Sequence, residues 1–124
     1  MKTEYRIRLP RSKQQVADIV VRGARAQGWA RSSIGGNCAY RGDGGVKCHA
    51  GHLIADDVFR PEWNEDTGWI GLCIDGVVSR RHEDFILQLQ RAHDEARGKK
   101  DRESRTRAVV EAFGCTWPAE STNA

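Results

Sequence analysis

The stretch Asn37-Cys38-Ala39-Tyr40-Arg41-Gly42-Asp43-Gly44-Gly45-Val46-Lys47-Cys48-His49-Ala50-Gly51-His52-Leu53-Ile54-Ala55-Asp56-Asp57 decides how this chain is read. It carries two of the four cysteines and two of the four histidines. Tyr40-Arg41 and Val46-Lys47 suit strands. Gly42-Asp43-Gly44-Gly45 between them suits a turn, because these residues tolerate positive φ. The pattern predicts a hairpin that runs into a short helical turn over Cys48 to Ile54. A four-residue turn at 42–45 sets Cys38 opposite His49 and Ala39 opposite Cys48, so the two sulfurs face opposite sides. A turn one residue longer or shorter changes that register.

Upstream, Tyr5, Ile7 and Leu9 alternate with Glu4, Arg6 and Arg8, the period of a half-buried strand. Pro10 ends it. Ser12 and Gln15 form a capping-box pattern ahead of a helix with Val16, Ile19, Val20 and Ala24 on its buried stripe. Gly28 stops that helix, and Trp29 is predicted to fold back onto it. Arg31 to Asn37 reads as a Ser/Gly-rich loop.

Downstream, Val58-Phe59 is expected to pack on the core, and Arg60 to Gly68 reads as an acidic loop around Pro61. Trp69 to Ile74 suits a strand or a short helix; helix is preferred, capped by Asp66 or Thr67 and stopped by Gly76. The longest helix is expected from Ser79 or Arg80 to about Arg97, with Phe85, Leu89, Ala92 or His93, and Ala96 inward. Gly98 to Asp101 breaks it. A last helix is expected from Arg102 to Phe113, with Ala108, Val109, Ala112 and Phe113 inward and Gly114 as its stop. The fold expected is one α+β domain, mostly helical, with three or four helices and a small β-hairpin or sheet. It spans 1–117, and 118–124 forms a flexible tail.

At 124 residues the chain can bury a core without disulfides or a metal. No apolar run reaches the ~18 residues of a membrane span. Met1 to Pro10 carries charge where a signal peptide is apolar. A cytoplasmic location follows as the expectation, with free thiols in a reducing compartment. The net charge of +3 is unevenly spread. Residues 1–33 hold eight Lys/Arg against two acids, 34–77 hold three against seven, and 78–124 hold nine against eight.

Several chemistries fit pieces of this pattern. Cys38, Cys48 and His52 are candidate zinc ligands, with His49, Cys73, His82 or Cys115 as a fourth. Their Cys-x9-Cys-x3-His spacing matches no standard finger or ribbon, so small buried hydrophobes are the preferred reading of the cysteines. Cys48, at the start of a helical turn and beside Lys47, is a candidate nucleophile. His93 or His82 would be its base and Asp94 or Asp84 the orienting acid, although no local cysteine-protease signature surrounds it. The glycine turn lacks the Lys-Ser/Thr ending of a phosphate loop. Arg6, Arg8, Arg11, Lys13, Arg22 and Arg25, with Arg31, Tyr5 and Trp29, are candidates for a phosphate-binding face. Trp63, flanked by Glu62, Glu65 and Asp66 and near Asp56 and Asp57, suits an exposed anchor for a protein partner, or else a solvated loop with the tryptophan tucked under it.

Two blocks resemble a family of small accessory proteins from tailed phages and prophages, to which no activity is assigned. The first is Cys38, Tyr40-Arg41-Gly42, Gly44-Gly45, Lys47-Cys48, Gly51-His52-Leu53-Ile54 and Asp56. The second is Leu89-Gln90-Arg91-Ala92-His93-Asp94. The resemblance spans about residues 12–115. The first ten residues look like an addition, and Ala55 stands where the family usually has proline. The resemblance implies a phage accessory product, acting in a host bacterial cytoplasm by binding and modulating a host protein of transcription, replication or defence. The alternatives from the residues are a zinc-stabilised or basic-surface nucleic-acid binder and a cysteine-dependent enzyme. The first stretch itself reads as a structural knot that anchors the helices around it.

Overall fold

In the computed structural model, which describes residues 4–65 and 67–120, the chain reverses twice before residue 50. The first reversal is a hairpin the sequence reading took for a loop. Ser33–Ile34 (β1) pairs antiparallel with Asn37–Cys38 (β2). Gly35 and Gly36 between them hold φ of 57° and 85°, the positive values a two-residue turn requires. The second reversal is the expected one, but longer. Arg41 bridges Lys47, and Gly42 N–H donates to Val46 O at 2.7 Å, so five residues form the loop. Continuing that register sets Tyr40 level with Cys48 and Cys38 level with Ala50, one residue from the expected pairing.

Helix α1 (Lys13–Ala26) starts as its sequence dictates. Gln15 N–H donates to Ser12 Oγ, and the Gln15 side chain accepts from Ser12 N–H. Val16, Ala17, Val20, Val21 and Ala24 are buried, whereas Ile19, expected on that stripe, is 40 % exposed. Trp29 folds back as expected: its N–H donates to Ala24 O at 2.8 Å and the ring is buried. Residues 4–9 keep their alternation, with Ile7 buried and Arg6 and Arg8 exposed, but they form no strand. Ile7 N–H donates instead to Val77 O at 3.1 Å.

Residues 69–74 are helical (α2, Trp69–Ile74), with Gly68 rather than Thr67 at the cap. Thr67 Oγ1 donates to Glu65 O; Asp66, the other expected cap, lies outside the described residues. Helix α3 (Glu83–Asp94) begins later than its periodicity suggests. His82 takes φ of 58° and sets its ring Nε2 3.0 Å from Pro10 O, which delays the first turn. Helix α4 (Lys99–Ala112) begins three residues earlier than expected, directly after Gly98. Its inner face differs too. Arg102, Thr106 and Val110 are buried, whereas Ala108 and Ala112 are exposed.

α3 packs on α4, with Phe85 against Phe113 at 4.8 Å between ring centroids. α1 and α3 both rest on the short 3-10 turn Ala50–Leu53. That turn sits among the helices, and one apolar core extends from Ile7 through Val20, Leu53, Leu72 and Phe85 to Val110. The result is the expected mostly helical α+β fold, with four helices and one two-stranded sheet among the described residues.

Packing continues past residue 117. Trp117 stacks on Trp29 at 5.8 Å, Pro118 is buried, and Arg25 donates to the carbonyls of Pro118 and Ala119. Residues 121–124 of the expected tail lie outside the described residues. Among the described residues no helix is long and apolar enough to cross a membrane.

Candidate functional site

The two sequence blocks meet in space. From α3, the Gln90 side-chain oxygen accepts from Ala50 N–H at 2.9 Å, and His93 Nε2 accepts from Ser32 N–H at 3.2 Å. Asp94 Oδ1 lies 2.9 Å from both His93 Nδ1 and the Gln90 amide nitrogen. Because Nε2 accepts, Nδ1 carries the ring hydrogen and donates it to Asp94. Arg41 does the same work from the hairpin. Its guanidinium donates to Gly51 O at 2.8 Å, Ile54 O at 2.6 Å and Asp56 at 2.9 Å, and lies over the Phe59 ring. Lys47 and Arg41 hold the Asp56 carboxyl below its ordinary range. Gly51 must be glycine, since a Cβ there would lie 2.5 Å from Tyr40 O.

Behind this knot lies a buried polar layer. Thr106 Oγ1 donates to Arg102 O at 2.6 Å, so it accepts from His49 Nε2–H at 2.8 Å. Arg102 donates to His93 O and Trp29 O. Ser32 Oγ lies 2.6 Å from Ala39 O and 2.9 Å from Val46 O, tying both reversals together. The His49 and His93 rings meet edge to face at 5.1 Å. Burial, then the neighbouring His93, His52 and Arg102, push His49 well below its ordinary pKa. His52, packed against the backbone of Gly23, is lowered to about 4 by burial, then Lys47, Arg41 and His93. His49 Nδ1 and His52 Nε2 are buried with no hydrogen-bond partner among the described residues.

In front of the knot an open cleft of about 1260 Å³ separates the hairpin, the 61–69 segment and α3. Tyr40, Trp63 and Trp69 contribute its aromatic wall, and Ile34, 46 % exposed, borders it from β1. Tyr40 OH donates to Thr67 O, which fixes the ring across the cleft floor. Glu65, Asp84, Asp94 and Arg91 are its charged lining.

The residues singled out in the sequence are therefore divided among different roles. His93 and Asp94 come together, as the enzyme reading requires, but His93 Nε2 takes a backbone amide and not the Cys48 thiol. Cys48 is buried, accepts from Gly51 N–H at 3.3 Å, and burial pushes its pKa up to about 12, where a nucleophile needs the thiolate. The helical turn that was expected to favour thiolate is outweighed by desolvation. For zinc, Cys48 and His52 stand on the same turn, but Cys38 borders the cleft beside Arg31. Among the described residues, no three His, Cys, Asp or Glu side chains are placed to hold a metal ion. Arg6, Arg8, Arg11, Lys13 and Arg22 are exposed, whereas Arg25 is spent on Pro118 and Ala119. Trp63 is buried, edge-on to Phe59: of the two readings the structure has the tucked tryptophan and not the exposed anchor. Glu62 and Glu65 beside it are exposed, and Asp66 lies outside the described residues.

Sequence reasoning missed Arg41, Ser32, Gln90, Arg102 and Thr106 as the residues that hold the site. One signal existed for the last two. The α4 segment has too few apolar residues for a full buried stripe, so polar side chains had to fill it.

Compared with known proteins, the chain matches no family model, no curated protein and no solved structure.

Proposed function

We propose that this protein is an accessory product of a tailed phage that acts in the host bacterial cytoplasm by binding a host protein through the cleft. The phage origin and host setting rest on the resemblance of the two sequence blocks; the observation that supports binding is the cleft itself. Aromatic side chains wall it, an exposed isoleucine borders it, and a hydrogen-bonded layer stiffens it from behind. A surface held rigid costs little entropy when a partner covers it. Site-specific photo-crosslinkers at Ile34 and Gln88, inside the cleft, and at Lys100, on α4, test this in bacterial cells. A single adduct of fixed size from positions 34 and 88, absent from 100, is the expected result. Equal labelling at all three sites, or no adduct from the cleft, overturns the reading.

A second reading has its own support. Arg6, Arg8, Arg11, Lys13 and Arg22 are exposed and have no ion-pair partner among the described residues, which suits phosphate contacts. Fluorescence anisotropy with a labelled DNA duplex checks it: binding must weaken steeply between 50 and 200 mM salt, by about a factor of 10³ if six phosphates are contacted.

A further inference from the structure

We propose that the cleft takes an extended segment of the partner's polypeptide that bears arginine or lysine. This inference rests on the reading of the cleft as a protein-binding site and names the chemistry of the occupant. The argument begins with charge. The protein as a whole is at +3, yet the cleft is lined by Glu65, Asp84 and Asp94 against the single base Arg91. Arg91 is already answered, with its Nε 3.2 Å from Glu95. Asp94 is engaged by His93 and Gln90. Glu65 and Asp84 are exposed and have no ion-pair partner among the described residues. Two unanswered carboxylates thus border the concave surface of a protein whose overall charge repels cations, so a basic ligand is attracted to this face against the general field.

The wall adds a second feature. Trp69 lines the cleft, is 3 % exposed, and its indole N–H has no acceptor among the described residues. A donor of this kind matches a peptide carbonyl. Ile34, 46 % exposed at the border of the cleft, offers apolar surface against which the aliphatic stem of a basic side chain packs. Carbonyl acceptor, aliphatic stem and cationic head are together the groups of an arginine- or lysine-bearing chain.

Selection of random dodecapeptides on the immobilised full-length protein tests the inference, alongside the double variant Glu65→Gln/Asp84→Asn. Both positions are exposed, and neither side chain hydrogen-bonds within the described residues, so the variant keeps the fold; its circular dichroism and urea midpoint verify this. The expected result is enrichment of Arg and Lys among peptides selected by the wild type. The double variant binds the best of those peptides more weakly, by up to about fivefold per carboxylate removed, the upper end for an exposed ion pair. Absence of basic enrichment, or equal affinity of the two proteins for the selected peptide, overturns the inference. The crosslinking result separates the two levels. A cleft adduct in cells without basic selection removes this inference alone, whereas loss of the cleft adduct removes the protein-binding reading and this inference with it.

Discussion

Acid should weaken this fold before any carboxylate is protonated. His49 and His52 are kept neutral by burial: His49 well below its ordinary 6.5, and His52 at about 4. In the unfolded chain both titrate near 6.5. A histidine whose folded pKa is depressed binds its proton first in the unfolded state. Its contribution to stability is complete above about pH 6.5 and is lost as the pH falls towards the folded value. For His52 the interval from 6.5 to about 4 corresponds to about 3.5 kcal/mol, at about 1.4 kcal/mol per pH unit. His49 adds a loss of the same sign. Total stabilities of roughly 5–15 kcal/mol make this a large fraction. The Asp56 and Asp101 carboxyls are held below their ordinary range, so their contributions disappear only at lower pH. Urea unfolding followed by tryptophan fluorescence at pH 7.5, 6.5, 5.5 and 4.5 measures the effect. The share of His52 alone should give a slope approaching about 1.4 kcal/mol per unit near pH 5, steepened in the same direction by His49, and His52→Gln should remove that share. Stability that stays flat from pH 6.5 to 5, or an unchanged slope in His52→Gln, refutes the reasoning.

Thr106→Val keeps shape but deprives His49 Nε2–H of its acceptor; a loss of about 1–3 kcal/mol in urea at pH 7.5 is expected. Gly42→Ala places a Cβ 2.5 Å from Ser33 N and 2.9 Å from Ser33 O, backbone atoms that cannot turn aside. It should cost about 1–3 kcal/mol, read as a lowered thermal midpoint. With its pKa at about 12, the Cys48 thiol should stay unreactive towards a disulfide reagent at pH 8 in the folded protein and react once urea is added. Loss of a native reactive thiol in Cys48→Ala would contradict that assignment.

Local rules were legible where the chain states them locally. Ser12 and Gln15 declare the start of α1, Gly28 its end, and Trp69 to Ile74 a short helix. The reversal at 42–46 was visible in its glycines, but its length was not, because Val46 joins the loop through a hydrogen bond to Gly42 that only the closed turn reveals. Ile34-Gly35-Gly36-Asn37 has the glycine pair of a tight hairpin and was hidden by its polar flanks. Sequence periodicity also finds apolar faces alone. The inward surface of α4 is Arg102 and Thr106, whose partners His49, His93 and Trp29 lie far away in sequence, so their burial is decided by tertiary hydrogen bonds. The cleft was illegible for the same reason. The charged neighbours of Trp63 suggest a surface position, whereas Phe59 meets its ring edge-on only in three dimensions.

Gln14 and Thr116 exchange two hydrogen bonds, at 2.8 and 2.9 Å, across 102 residues of chain. This sets an order on synthesis. A ribosome exposes α1 early, yet Gln14, Arg25 and the outer face of Trp29 find their partners only when Thr116, Trp117 and Pro118 emerge. Contacts of such sequence separation form late, after the closure entropy of the intervening loop is met. A nascent chain shorter than this therefore leaves a tryptophan face uncovered, and this packing waits until Pro118 has been added.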